Sequence, residues 1–170
     1  MTTRPRRSTG DRSIDADLHV EGLQETLRAF NRYGKDANRE LRQAAGNIAD
    51  QLVPALILAA GSASPQAALV APTVKRRSDR VPTIVAGGSK RIRPNTRSNR
   101  RVTAGDVFFG SEHGGGRRPS TRQFPEWVGK SGYWFWPTVR AAIPVLRREY
   151  IRTLDELAAR WARGGDEAGG

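Results

Sequence analysis

The sequence predicts an α+β fold in which a long N-terminal amphipathic helix and a C-terminal helix pack on a small antiparallel sheet with long basic loops. Three observations predict it: strict alternation of apolar and polar residues near the N-terminus, two long stretches with apolar residues at steps of three and four, and short β-rich runs between them. The 170 residues fit a single domain. Leu, Ile, Val and Phe make up only 34 of them, so we expect contacts between subunits to supply part of the stability.

The predicted domain spans residues 14–163, between two flexible ends. Residues 1–13 carry four arginines among Ser, Thr, Gly and Pro, which predicts a mobile basic arm. Apolar and polar residues alternate from Ile14 to Glu21, which predicts a short half-buried strand with His19 on its solvent face. A surface or interface role is therefore expected for His19 rather than metal binding. Residues 164–170, GGDEAGG, are expected to be disordered.

Beyond Gly22 the apolar spacing lengthens and predicts one amphipathic helix that reaches about Ala60. Such a helix would be roughly 58 Å long at 1.5 Å per residue, which is longer than a compact domain of this mass is wide. Pro54 is expected to kink or split it, and Gly61 to end it. A neighbouring subunit is the natural partner of the long apolar stripe; the alternative is a kinked helix that folds back on its own domain. The candidates here for the core or a subunit interface are Leu27, Phe30, Leu41 and Ile48.

Most of the net charge of +12 lies in the middle of the chain, where residues 61–105 contain ten basic residues and one acidic residue. Short strands are expected at 72–77, 81–87 and 106–110, with a mobile basic loop at 88–104. The basic residues could neutralise phosphates without reading sequence, or could meet acidic surfaces of protein partners. These candidate DNA- or partner-facing residues are Lys75, Arg76, Arg77, Arg80, Lys90, Arg91, Arg93, Arg97, Arg100 and Arg101.

A Gly- and Pro-rich connector is expected at 110–123, followed by the aromatic run GYWFWP at 132–137. Alternation would place Tyr133 and Phe135 on one side of this run and both tryptophans on the other. Steps of three and four from Val139 to Trp161 predict the second helix, with Pro144 in its first turn or at a kink. On its outer face we expect the ion pairs Arg152–Glu156 and Glu156–Arg160. The aromatic residues can stack on bases but are expected in the core or a subunit interface: Phe108, Phe109, Trp127, Tyr133, Trp134, Phe135, Trp136 and Trp161.

No set of residues typical of a catalytic or metal site stands out. The sequence has no Cys and only two His, and it lacks glycine-rich phosphate loops and paired zinc-ligand spacings. Ser111, Glu112 and His113 are adjacent, but adjacency does not make a catalytic triad, because triads join residues from separate elements. Three glycines follow them, which predicts a flexible turn. We therefore expect no enzymatic activity, no catalytic residues, no cofactor and no metal. The longest apolar stretch, 55–60, is too short to span a membrane, so no membrane partner is expected.

The order of these features resembles the neck or tail-completion proteins of long-tailed bacteriophages, which help to join the DNA-filled head to the tail. The resemblance runs roughly from Ile14 to Trp161, and its most specific parts are VEGL at 20–23 and FWP at 135–137. Two features depart from the family's pattern: the middle loop is richer in arginine than in typical members, and the segment between Gly110 and Phe124 is rich in glycine.

The resemblance implies a structural virion protein that forms a ring of six or twelve copies around the DNA channel. The implied partners are the adjacent connector or stopper and the tail-tube or tail-terminator proteins, together with genomic double-stranded DNA held by non-specific backbone contact. The implied location is the head–tail interface of the virion, with assembly in the host cytoplasm. Two alternatives remain: a tail terminator of the same junction, and a free sequence-independent nucleic-acid-binding protein whose binding falls steeply with salt.

Overall fold

The structure is a computed structural model that describes residues 13–17, 27–28, 30–92, 102–115 and 123–167. The helices in this part of the chain are α1 (Gly34–Ala63), α2 (Pro65–Val70), α3 (Ala104–His113) and α4 (Phe135–Glu167). The strands are β1 (Ser13–Asp17), β2 (Lys75–Arg77), β3 (Thr83–Gly87), β4 (Arg91–Ile92) and β5 (Val102–Thr103). The predicted α+β class is confirmed, as is the presence of a long N-terminal and a long C-terminal helix.

The strands form two small antiparallel sheets. The first has the order β1-β3-β2, with Ser13 opposite Gly87 and Lys75 opposite Val85. Strands were therefore predicted correctly within 14–21, 72–77 and 81–87, although β1 begins one residue inside the predicted arm. In the second sheet, β4 pairs with β5, so both ends of the predicted mobile loop 88–104 are fastened together. Residues 93–101 and the rest of the arm, 1–12, lie outside the described residues.

Gly34 interrupts the predicted N-terminal helix: Leu27, Arg28 and Phe30 are helical, and α1 begins only after a 3₁₀ turn. Gly34 has a φ of +86° and separates α1 from the single 3₁₀ turn Asn31–Tyr33. Pro54 does not split α1. Pro54 has no N–H, so the Asp50 carbonyl lacks its helical hydrogen-bond donor. Asp50 and Pro54 are both exposed, so water can bind this carbonyl instead.

The C-terminal end of α1 was also predicted wrongly. Gly61 lies within the helix, which continues to Ala63. It ends there because Ser64 is extended and starts α2: its hydroxyl oxygen accepts a hydrogen bond from the Ala67 N–H at 3.1 Å, and Pro65 occupies the first helical position.

The third predicted strand, 106–110, is helical and belongs to α3. The Thr103 hydroxyl oxygen accepts from the Asp106 N–H at 3.3 Å, and Asp106 Oδ2 accepts from the Thr103 N–H at 3.0 Å. This reciprocal capping box starts a helix at Ala104. Since α3 runs to His113, the first residues of the predicted connector 110–123 are helical as well.

The C-terminal helix α4 begins at Phe135, so Pro144 lies inside it rather than in its first turn. It continues to Glu167, which corrects the predicted start of a disordered tail at residue 164. Glycine only weakens a helix that is already nucleated, so the helix can pass through Gly164 and Gly165.

The two long helices pack antiparallel against each other. Glu40 of α1 meets Arg160 of α4, and Gln51 meets Glu149. Between them lies the core, with Leu41, Ile48, Leu52 and Leu56 from α1 and Tyr150, Leu154 and Leu157 from α4. By length and composition alone, the helical stretch Asn31–Ala63 could cross a membrane, with a mean hydropathy of 1.2 over 18 residues. Its inner side forms part of this core, which is the arrangement of an amphipathic core helix.

Candidate functional site

The aromatic run at the start of α4 packs against Phe108 of α3 in the core. Trp134 and Phe135 are both buried, and each ring meets Phe108 edge-on, with ring centroids 5.5 and 5.3 Å apart respectively. The predicted alternation is wrong, because Trp134 and Phe135 lead into a helix rather than a strand. Both therefore face inward, whereas Tyr133 is exposed and Trp136 is half-buried.

A buried carboxylate caps this helix from α3. Glu112 is fully buried, and its Oε2 accepts from the N–H groups of Trp134 at 3.0 Å and Phe135 at 2.8 Å. Its Oε1 accepts from the Trp136 N–H at 2.9 Å. Helix N-termini carry N–H groups without intrahelical partners and a partial positive charge, so one carboxylate satisfies three donors there.

Gly132 makes room for the Glu112 side chain. It has a φ of +71°, and a Cβ built on it would lie 1.9 Å from Glu112 Oε1. The Tyr133 N–H also donates to the Glu112 carbonyl at 2.8 Å. The segment predicted to be a flexible turn at 111–113 is thus a fixed joint between α3 and α4.

The neighbours of Glu112 are fastened to other backbone groups. The Ser111 hydroxyl donates to the Phe108 carbonyl at 3.0 Å, and His113 Nδ1 lies 2.7 Å from the Gly129 carbonyl oxygen. Ser111, Glu112 and His113 therefore have three separate structural partners and make no triad with one another.

The predicted core or interface residues divide into three groups. Six are buried: Phe30, Leu41, Ile48, Phe108, Trp134 and Phe135. Three are partly buried: Leu27, Trp136 and Trp161. Three are exposed: Phe109, Trp127 and Tyr133. Of the exposed rings, Phe109 and Trp127 flank His113, with ring centroids 6.3 and 6.0 Å from it.

The predicted basic residues do not act as one group. Arg76 lies against α1, with its Nε 3.0 Å from Asp50 Oδ2. Arg80 donates to Asn31 Oδ1 at 2.8 Å, and its carbonyl accepts from the Tyr150 hydroxyl. Arg76 thus joins β2 to α1, and Arg80 joins the segment after β2 to Asn31 and to Tyr150 of α4. The exposed members are Lys75, Arg77, Lys90 and Arg91, whereas Arg93, Arg97, Arg100 and Arg101 lie outside the described residues.

An open groove lies where β2 crosses α1. Its volume is about 480 Å³, and we call it the arginine groove; its lining residues are Arg39, Arg42, Gln43, Arg76 and Ser78. Arg39 pairs with Asp36, with its Nη2 3.1 Å from Asp36 Oδ1. Guanidinium groups bind oxyanions through paired N–H donors, so the groove is suited to a phosphate or carboxylate.

The C-terminal end of α1 and the segment that follows it carry no charge, in contrast to the arginine groove. Residues 51–74 contain no charged residue, in a chain of which 27% is charged. Many of them are nevertheless exposed, including Ile57 at 42%, Leu58 at 72% and Leu69 at 39%. We call the exposed residues of this segment the uncharged surface: Gln51, Pro54, Ala55, Ile57, Leu58, Gly61, Ser62, Ala63, Pro65, Ala68, Leu69 and Pro72.

Sequence reasoning missed Glu112, the helix arginines Arg39 and Arg42, and the uncharged surface. A signal existed for two of these. The uncharged run can be counted directly, and the start of α4 lacks Ser, Thr, Asp or Asn at its cap position, Trp134, which requires an acceptor from elsewhere in the chain. Nothing in the helix periodicity distinguishes Arg39 and Arg42 from the other polar residues of α1.

The part of the chain that the structure describes contains no group of three or more His, Asp or Glu side chains that could hold a metal ion. Comparisons of the chain with protein-family models, with curated proteins and with solved structures found no match.

Proposed function

We propose that this protein is a structural, non-enzymatic component of the bacteriophage head–tail junction, a neck or tail-completion protein that forms a ring around the DNA channel. The observation that carries the proposal is the uncharged surface. The resemblance at VEGL, 20–23, and FWP, 135–137, supplies the class of assembly.

The uncharged surface has the composition of a protein–protein interface. The central parts of such interfaces are depleted in charged residues, and exposed apolar patches mark association sites. Leu58 is 72% exposed in the single chain, with Ile57 at 42% beside it in sequence. Burying these side chains against a second copy would be favourable at about 25 cal/mol per Å² of apolar area.

In the proposed ring, α1 and α2 of one copy would contact the next copy through the uncharged surface. The basic loop 88–104 would face the DNA channel or an adjacent ring of connector, stopper or tail-tube protein. A tail terminator is the nearest variant of this proposal, since it also forms a ring at one end of the tail.

The ring is tested by the mass of the assembly. We expect analytical ultracentrifugation of the wild-type chain to show a species of six or twelve copies, and Leu58→Asp to lower it to the monomer, because a carboxylate at an interface centre would be buried without a partner. Asn47→Asp is the matched control: it adds the same charge to an exposed position of α1 outside the uncharged surface.

A wild-type protein that stays monomeric at high concentration, or a Leu58→Asp variant that keeps the full assembly, would contradict the ring. Addition of anionic and neutral vesicles tests the membrane alternative for α1, and co-flotation of the wild type with vesicles would also contradict the proposal. The class of particle is tested by the neighbouring genes, among which we expect capsid, portal and tail-tube proteins.

A further inference from the structure

Arginines from two separate segments form one row on α1. Arg39, Arg42 and Gly46 lie on the same side of the helix, at spacings of three and four. Gly46 has no side chain, and the Arg76 side chain of β2 lies over it: a Cβ built on Gly46 would be 2.1 Å from Arg76 Nη1. Arg76 therefore continues the row, which spans about 10 Å at 1.5 Å per residue.

Carboxylates hold both ends of the row without saturating it. Asp36 Oδ1 lies 3.1 Å from Arg39 Nη2, and Asp50 Oδ2 lies 3.0 Å from Arg76 Nε. Each guanidinium has five N–H donors, and a single ion pair engages only some of them. Arg42, between them, forms no ion pair with any residue that the structure describes. Three guanidinium groups against two carboxylates leave the row with a net positive charge.

The row is not a buried structural network. The Arg39 side chain is 81% exposed and the Arg76 side chain 36% exposed, and the groove that they line opens to solvent. Arg42 is exposed as well, so all three arginine side chains are at least partly accessible from solvent.

We infer that the arginine groove binds the phosphodiester backbone of duplex DNA, without reading base sequence. Three guanidinium groups in a row match a polyanion better than a single small anion, and arginine forks match phosphate oxygens in pairs. The lining includes no aromatic side chain, whereas sites for single strands stack bases on aromatic rings. The groove belongs to one chain, so this inference does not depend on ring assembly.

The test is the binding of the full-length protein to a short fluorescent duplex at several NaCl concentrations. Each lost phosphate contact lowers the slope of log K against log salt by about 0.9, so Arg39→Gln/Arg42→Gln should lower it by about 1.8. We expect binding at low salt to weaken at least about tenfold in this variant. Both side chains are exposed, so the fold should be retained.

Gly46→Ala tests the geometry at constant net charge. The added methyl group collides with the end of the flexible Arg76 side chain, which must leave the row, while alanine favours the helix. We expect the salt slope to fall by about 0.9 with no loss of helix content by circular dichroism.

The matched control for charge is Lys130→Gln/Arg148→Gln, which removes two exposed positive charges outside the groove. We expect its salt slope to equal that of the wild type. Equal losses in the two double variants, or an unchanged slope in Arg39→Gln/Arg42→Gln, would overturn the inference, because binding would then reflect net charge or other residues.

Two competitors separate the ligand classes. Tighter binding of single-stranded DNA or of poly-glutamate than of the duplex would overturn the assignment to the duplex backbone. Leu58→Asp should keep the salt slope of the wild type per chain, so failure of the ring and failure of the groove give different results.

Discussion

The α1–α4 helix pair has two ends that are built differently. At one end, exposed polar groups join the helices: Glu40 Oε2 accepts from Arg160 Nη1 at 3.1 Å and from Trp161 Nε1 at 3.2 Å. At the other end, residues 51–74 have no charge, and the start of α4 is fixed by the buried Glu112. Arginines keep a surface hydrated and available to polyanions, whereas an uncharged surface can be covered by protein at little desolvation cost. The proposed contact between copies and the inferred DNA contact thus rest on opposite ends of one helix.

If the two ends are built differently, the stability of the uncharged end should depend on the single buried carboxylate of Glu112. Glu112→Ala should lower the free energy of unfolding by about 3–5 kcal/mol, because three N–H groups at the start of α4 lose their acceptor in a buried site. Urea denaturation measures this loss. The exposed Glu126→Ala is the matched control and should stay within about 0.5 kcal/mol of the wild type. Equal stabilities of the two variants would mean that α4 does not need the Glu112 cap.

In the middle of the helix pair, the Tyr150 hydroxyl donates a hydrogen bond to the Arg80 carbonyl. Tyr150→Phe should cost about 1 kcal/mol at neutral pH. Burial, with a smaller contribution from Asp79, raises the pKa of Tyr150 above the ordinary tyrosine value. The folded protein thus holds this proton more tightly than the unfolded chain, and its contribution to stability is present below pH 10 and lost as the pH rises beyond it.

Unfolding measured from pH 8 to pH 11 checks the sign of this effect. We expect the wild type to lose more stability above about pH 10 than Tyr150→Phe does. Tyr133→Phe is the control, since Tyr133 is an exposed tyrosine that also donates to a carbonyl, that of Glu126. Parallel pH profiles for wild type and Tyr150→Phe would refute the assignment.

The smallest effect is expected at the charged end. Glu40→Gln should lower the free energy of unfolding by less than about 1 kcal/mol, because exposed ion pairs contribute little and are screened by salt. The Arg160 side chain is 61% exposed and the Glu40 side chain 39% exposed. Thermal unfolding at low and high salt provides the measurement, with Asp36→Asn as the control. A loss of about 3 kcal/mol or more, in the range expected for Glu112→Ala, would show that the two ends are held equally strongly.

Local patterns predicted local structure. Alternation identified β1 and the β-rich runs identified β2 and β3, and steps of three and four identified both long helices. The pair Arg152–Glu156 forms as expected, with 3.7 Å between Nε and Oε1, whereas Arg160 binds Glu40 rather than Glu156. The pair Arg160–Glu40 depends on how the two helices pack, which cannot be predicted from the periodicity of either helix alone.

The mistakes have two physical causes. The apolar run Val107–Phe109 fits a strand or a helix, and the capping box of Thr103 and Asp106 decides for the helix. That signal is present in the sequence. The contacts of Glu112 with the start of α4 and of Arg76 with Gly46 join residues 22–24 and 30 positions apart, so only the tertiary fold brings them together.

The fixed joint between α3 and α4 also closes the segment that connects them. The Gly115 N–H donates to the Pro125 carbonyl at 2.7 Å, and the Val128 N–H donates to the His113 carbonyl at 3.0 Å. The helices are thus aligned by bonds at the base of the connector, whatever the chain does between those bonds. Doubling the length of such a closed loop costs only about 0.6 kcal/mol in closure entropy. Insertions between residues 115 and 123 are therefore expected to cost little stability, while Phe124, which packs on the core, and the helix pair keep their positions.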